Sequence, residues 1–264
     1  YTEAEADAEF VTKTGDTMTG DLNLGANSLS LGANNANSPQ ILFENSDSVT
    51  GDAALSTYDD SSGTMLVMGS NFYINSSGSE TRFNTSEESS AVMLNRNGDL
   101  NLLTGGTGAT ATTRLKIDSS GAVTMPSQPA FLAQGNGQTD FPVNTATTVD
   151  FENERFDQGA NFSSNTFTAP VTGRYLFACM VYTRNLDINT NYYQIQLITS
   201  NRTISAGLGT SGYDADMLYF PFSISLLVDM DLNDTAVLKM DVGSGGANQL
   251  IVESQTYFSG YLVA

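Results

Sequence analysis

Histidine and tryptophan are absent from this 264-residue chain, and cysteine occurs once. Without histidine the usual general base and the commonest zinc, copper and iron ligand are missing, which excludes Ser-His-Asp, Cys-His and zinc-hydrolase schemes. Carboxylate chemistry is the one catalytic class left. The single Cys179 has no internal disulfide partner and lies within the apolar run 174–182, which reads as a buried thiol packed as a small hydrophobe. Eighteen consecutive apolar residues occur nowhere, so no segment reads as a membrane-spanning helix, and no signal-peptide pattern opens the chain. It begins on Tyr1 rather than Met, which reads as a processed or partial form whose anchor lies upstream. Basic residues are scarce: 10 Lys and Arg against 29 Asp and Glu give a formal charge of -19, which repels nucleic acid and anionic membrane surfaces.

What is present changes character near residue 125. Residues 2–9, TEAEADAE, place Thr2 and Glu5 at capping-box spacing, so a short helix or the end of an upstream segment is expected over 1–10, with a frayed acidic terminus as the alternative. Residues 11–125 are dominated by Asn, Ser, Thr, Gly and Asp. Four segments there share one design: Tyr58-Asp-Asp-Ser-Ser-Gly63, Tyr73-Ile-Asn-Ser-Ser-Gly78, Leu94-Asn-Arg-Asn-Gly98 and Ile117-Asp-Ser-Ser-Gly121. Each follows a short alternating stretch with Asn or Asp and then Gly, which suits a type I turn closed by a left-handed residue. The Gly spacings of 15, 20 and 23 describe a degenerate hairpin series, not a strict repeat array. Such hairpins hold too few large apolar residues for one chain to bury a core, so three copies sharing a narrow core around an axis are expected, with a disordered linker as the alternative. The segment 103–113, LTGGTGATATT, reads as a flexible loop.

Beyond Pro126-Ser-Gln-Pro129 aromatics become denser and strands longer. Strands are expected at 131–133, 147–151, 165–168, 174–182, 192–199, 217–230, 236–242 and 255–263, separated by Gly, Asn, Asp and Ser turns, as in an antiparallel sandwich over 126–264. The strand 174–182 is apolar on both faces. Tyr175, Phe177, Cys179 and Val181 line one side, and Leu176, Ala178, Met180 and Tyr182 the other. An antiparallel strand with one solvated face should be polar there, so the second face calls for cover by neighbouring subunits. Leu176, Met180, Tyr182 and, on the last strand, Tyr261 are the candidate trimer contacts.

Three stretches carry a resemblance: Phe167-Thr-Ala-Pro-Val-Thr-Gly-Arg-Tyr-Leu-Phe177, Leu232-Asn-Asp-Thr-Ala-Val237 and Tyr257-Phe-Ser-Gly-Tyr-Leu262. In this order and spacing the region 129–264 resembles the globular head of the q subcomponent of complement component 1, a jelly-roll trimer related to the tumour necrosis factor fold. Asn233-Asp234 stands where that family usually has Gly-Asp, a substitution suited to a left-handed turn. No collagen Gly-X-Y stalk precedes it. Residues 14–22, TGDTMTGDL, instead resemble a motif recurrent in phage tail-fibre proteins. Together the resemblances imply an all-β virion fibre: an elongated trimeric β-hairpin stalk ending in a jelly-roll tip, with virion attachment proteins upstream and a bacterial cell-surface receptor as partner.

If the last strand leads back toward the stalk, the connections at 183–191, 207–216 and 243–248 fall at the far tip, and Ser200-Asn201 and Asn233-Asp234 at the base. The tip then collects Arg184, Asn185, Asp187, Asn189, Tyr213, Asp214, Asp216, Ser244 and Asn248, a set of amides, carboxylates and an aromatic suited to sugar hydroxyls. Relatives that bind calcium at the trimer tip make Asp214 and Asp216 candidate oxygen ligands; no other cofactor is expected. The pairs Asp59-Asp60, Glu87-Glu88 and Asp229/Asp231 read as solvated turns or strand edges. Receptor binding without catalysis leads. A trimerisation clamp and a two-carboxylate polysaccharide depolymerase are the alternatives.

Overall fold

The computed structural model describes residues 41–44, 52–60 and 62–264; the expected N-terminal helix and the 14–22 motif lie outside them. Among the described residues, nine strands precede residue 125: β1 (Ile41–Phe43), β2 (Ala53–Asp60), β3 (Gly63–Ser70), β4 (Tyr73–Ile74), β5 (Glu80–Thr81), β6 (Ser89–Leu94), β7 (Leu100–Gly105), β8 (Thr112–Ile117) and β9 (Val123–Thr124). Seven form one antiparallel sheet in the order β1-β2-β3-β6-β7-β8-β9, while β4 and β5 pair only with each other. The four Asx-and-Gly segments close the β2–β3, β4–β5, β6–β7 and β8–β9 hairpins, with Gly63, Gly78, Gly98 and Gly121 all at positive φ. In the last of these, Asp118 accepts from the N–H groups of Ser120 (2.9 Å) and Ala122 (3.0 Å), the Asx turn that its position demands.

Two expectations for this region are corrected. One chain does bury a small core, because the β4–β5 excursion folds across one face of the sheet and lays Phe72 and Ile74 against Met65, Val67, Ala91 and Ala111. The segment 103–113 is also no long loop: β7 and β8 continue into it and leave a turn over 106–111. Its carbonyls are held from outside. Arg82 donates to the carbonyls of Gly106 (2.9 Å) and Ala109, and the Glu80 carboxylate accepts from the Ala111 N–H (3.1 Å). A Gly-rich segment loses more freedom on ordering than others, and these contacts offset that cost.

The remaining strands are β10 (Ala130–Gln134), β11 (Thr145–Thr148), β12 (Asn153–Gln158), β13 (Phe162–Ser163), β14 (Thr166–Thr168), β15 (Gly173–Leu186), β16 (Tyr192–Thr199), β17 (Thr203–Gly209), β18 (Met217–Met230), β19 (Thr235–Val242), β20 (Ile251–Val252) and β21 (Tyr257–Leu262). They make two six-stranded antiparallel sheets. One runs β12-β10-β21-β15-β18 with β20 also on β15, the other β13-β14-β19-β16-β17 with β11 also on β19. This is a jelly-roll sandwich. Of the strands that sequence reasoning passed over, β13 and β20 are two residues long and β12 is mostly polar and charged, while β17 alternates Ile204, Ala206 and Leu208 with small residues between them.

The core between the sheets centres on Phe131, 1% exposed, whose ring stacks on Phe162 (4.8 Å) and Phe167 (5.0 Å) and meets Phe258 edge-on (5.1 Å). Burying one such ring contributes ~2–3 kcal/mol before any pair geometry is counted. Tyr175 anchors the start of β15 by donating its hydroxyl to the Val171 carbonyl at 2.7 Å. Opposite this ring cluster β21 carries Gly260, where a Cβ would stand 2.5 Å from the Phe177 ring and 2.9 Å from Phe131. Only a residue without a side chain lets the strand lie this close.

Candidate assembly face and tip loops

The core-facing residues of β15, Tyr175, Phe177, Cys179 and Val181, are each at most 1% exposed. Their alternates form the second, outward face expected from sequence. Register fixes its neighbours: Leu176 lies opposite Leu227 on β18 and Tyr261 on β21, Met180 opposite Ser223 and Tyr257, and Tyr182 opposite Pro221. On the other side of β21, Leu132 of β10 faces Ser259 and, across β10, Phe156 of β12. The four candidates Leu176, Met180, Tyr182 and Tyr261 therefore share one face. Three of its members, Phe156 (52%), Leu227 (50%) and Tyr261 (47%), are open to solvent. Between Phe156, Leu176 and Tyr261 this face holds an apolar groove of about 560 Å³. Near the tip the rings of Tyr182 and Tyr219 stack almost parallel, with centroids 5.6 Å apart and planes 3° off. Phe156 escaped sequence reasoning because it stands alone between Arg155 and Asp157.

The end of the sandwich that carries the C-terminus is the base, where the Arg174 N–H donates to the Ala264 carbonyl at 2.7 Å. Here the turns at 200–201 and 233–234 meet: the Asn201 side-chain amide donates to the Asp234 carboxylate at 2.9 Å. Asn233 takes φ of 72°, the left-handed conformation its place in the family pattern requires. At the opposite end the connections 187–191, 210–216 and 243–250 interlock. The Asn191 N–H donates to the Ser244 carbonyl (2.9 Å), Thr190 Oγ1 to the Gly245 carbonyl (3.2 Å) and the Ile188 N–H to Asp216 Oδ1 (3.1 Å). Gly245 and Gly246 are both left-handed, and a Cβ on Gly246 would sit 2.3 Å from Thr190 Oγ1.

The nine candidate tip residues separate on this geometry. Arg184 and Asn185 lie on β15, not in a loop, because that strand keeps its pairing with β18 as far as Leu186. Arg184 is ion-paired to Glu253, and Asn185 is left-handed at φ of 58°. Asp187 is buried and points its carboxylate inward: Oδ1 accepts from the Asn189 N–H and side-chain amide, both at 2.8 Å, and Oδ2 from the Ala247 N–H at 2.8 Å. The Asn189 N–H first, and then the Ala247 N–H, hold its carboxyl below the ordinary value against the opposing effect of burial. Beneath it, Tyr193 accepts from the Asp187 N–H at 2.9 Å, and burial pushes its phenol up. Asn248 Oδ1 accepts from the Val143 N–H at 2.9 Å, and Ser244 Oγ from the Asn191 side chain at 2.7 Å. Asp216 accepts from Ile188 and, at 3.4 Å, from Gln249. Tyr213 and Asp214 are exposed and adjacent, with Asn189 and Ser244 also at the surface. Among the described residues, no three Cys, Asp or Glu gather closely enough to hold a metal ion.

The model of the C1q domain family matches residues 130–263. Among solved structures, the globular domain of zebrafish complement 1qA protein is similar at 17% identity over 52% of this chain and 98% of that domain, with a TM-score of 0.40. Murine APRIL at pH 5.0 is similar at 12% identity over 52% of this chain and 99% of its own, with a TM-score of 0.36. No curated protein matches the chain. Domains of this kind are commonly trimeric modules for binding and assembly. With the family model covering just over half of the residues and every strand of both sandwich sheets, this protein belongs to the C1q domain family.

Proposed function

We propose that this chain belongs to a trimeric virion fibre, of the tail-fibre kind, whose head binds a glycan or outer-membrane component of a bacterial host during adsorption. The observation that carries the reading is the tip: three connections bolted to one another through Asp187, Thr190 and Asp216, with Asn189, Tyr213, Asp214 and Ser244 left at the surface. Loops held on a rigid sandwich are where recognition residues are usually placed, and three copies would add avidity. The likeness of 14–22 to the tail-fibre motif and the Asn- and Ser-rich hairpins support the fibre setting. The charge of -19 argues against nucleic acid and anionic membrane as partners. Calcium enters this reading only as a ligand shared between chains at Asp214 and Asp216.

Purified protein competing with virions for susceptible cells tests the proposal. Native protein should block adsorption, and the Tyr213→Ala/Asp214→Ala double variant should assemble normally yet block poorly. Equal competition by both would remove the tip from the binding role, and no competition by either would end the receptor reading. A second reading, the head as a trimerisation clamp, is favoured by its apolar outward face. Deleting 130–264 would then abolish assembly, whereas tip variants would leave adsorption intact.

A further inference from the structure

The sheet that precedes the head has two faces, and the described residues cover only one. On the covered face the β4–β5 excursion seals Met65, Val67 and Ala91. Register places two rows of directly paired residues on the other. One is Ile41–Leu55–Met68–Val92–Leu102–Leu115 and the other Thr57–Leu66–Leu94–Leu100–Ile117–Val123. Eleven of these twelve are large and apolar, and none is charged. Met68 (56%), Val123 (57%), Leu94 (48%), Leu66 (40%) and Leu102 (40%) are exposed. An antiparallel sheet facing water should alternate to polar side chains on that side. With Phe43 (59%) on the same face, the exposed members leave roughly 500–600 Å² of apolar surface, the upper end of what a typical monomer carries.

We propose that this face is one wall of a three-sided β-prism, closed by the same face of two further copies of the chain. The inference rests on the trimer proposed above and adds which surface the stalk uses. The two rows are uncharged in a chain of net charge -19, with Asp59 and Arg114 standing beside them, so the rows select neither an acidic nor a basic partner but another uncharged apolar surface. The copies carry that surface and are held close to it. The sheet joins its head through residues 125–129, pinned by Gln158 Nε2 donating to the carbonyls of Met125 (2.9 Å) and Gln128 (2.5 Å), by Arg114 donating to Ser127 Oγ (2.9 Å) and by Gln128 Nε2 donating to the Leu262 carbonyl (2.8 Å). Three heads in contact would hold three such sheets at an effective concentration on the order of millimolar. In this arrangement the contribution of each chain to the core that three copies share around an axis is the face of a whole sheet.

Val92 lies on β6, the central strand of the seven, and the native Cys179 is buried with its thiol pushed up to about 12. In a Val92→Cys variant of the full chain, the new thiol is therefore the only reactive one while the head is folded. Labelling by a charged maleimide should be on the order of 100-fold slower in the trimer than in a monomer made by adding Leu176→Asp, since a covered site reacts only through opening. A Ser77→Cys control should label equally fast in both. Leu227→Asp serves as the monomerising change if Leu176→Asp exposes Cys179. Fast labelling in the trimer would overturn the prism. Slow labelling in both states would mean that the face is covered within a single chain, which also overturns it. A monomeric mass for the unmodified protein would instead bring down the trimer reading itself.

Discussion

Leu176→Ala tests the outward face with least risk to the fold, because the core side of β15 is occupied by its neighbours Tyr175 and Phe177, both 0% exposed. The change removes three carbons, each worth ~0.8 kcal/mol when fully buried. Leu176 is half-buried already by Leu227 and Tyr261, so about half of that, ~1.2 kcal/mol per chain, is left for association. A three-fold assembly repeats the loss in each copy, which amounts to ~3.5 kcal/mol and weakens the trimer by between two and three orders of magnitude. Sedimentation velocity over a dilution series reads the shift in the trimer-to-monomer midpoint, with circular dichroism checking the fold. Val171→Ala removes a comparable exposed side chain elsewhere and should leave the midpoint unchanged. A Leu176→Ala midpoint equal to that of the native protein would refute the assignment of this face to assembly.

Gly260→Ala should lower the melting temperature of the head, since the new Cβ meets two core rings at 2.5 and 2.9 Å and such overpacking costs ~1–3 kcal/mol; scanning calorimetry measures it, and an unchanged melt would show the strand free to move away. Cys179, buried and held protonated by desolvation, should resist an aromatic disulfide reagent at pH 8 and react once denaturant unfolds the sandwich. Asp187→Ala should loosen the tip, seen as faster hydrogen exchange at the Asn189 and Ala247 amides while the β15 amides stay protected. In the native protein the same Asp187 carboxyl is depressed on folding, so its stabilising effect is complete above the ordinary 3.8 and is lost as pH falls below it through the folded value. Exchange at those two amides should accordingly rise, relative to the intrinsic rate, between pH 4 and pH 2 and stay flat from pH 5 to pH 8.

The hairpin turns were legible because Asn, Asp and Gly act locally: Asp118 closes its own turn, and Gly121 supplies the left-handed residue, whatever surrounds them. The tip loops were legible in position but not in role. Strand direction alone assigned them to one end, yet nothing in the spacing of Asp187 and Ala247, sixty residues apart, says that the carboxylate faces inward to hold a backbone N–H. Arg184 and Asn185 were read as loop residues because Thr183, Arg184 and Asn185 are polar. The pairing of β15 with β18 carries the strand through them regardless.

By itself the sequence determined the β-class, the change of character near residue 125, the exclusion of histidine chemistry and the double apolar face of β15. Each follows from composition or from a period of two, which one strand expresses without reference to any other. Only the tertiary structure decided that the β4–β5 excursion seals one side of the sheet before the head, that Phe156 and Leu227 join Leu176 and Tyr261, and that two rows of apolar residues from seven strands share one face. Those features depend on which strands become neighbours and in what register. Pairing energies act between segments tens of residues apart, and a shift of one residue would turn every side chain to the opposite face.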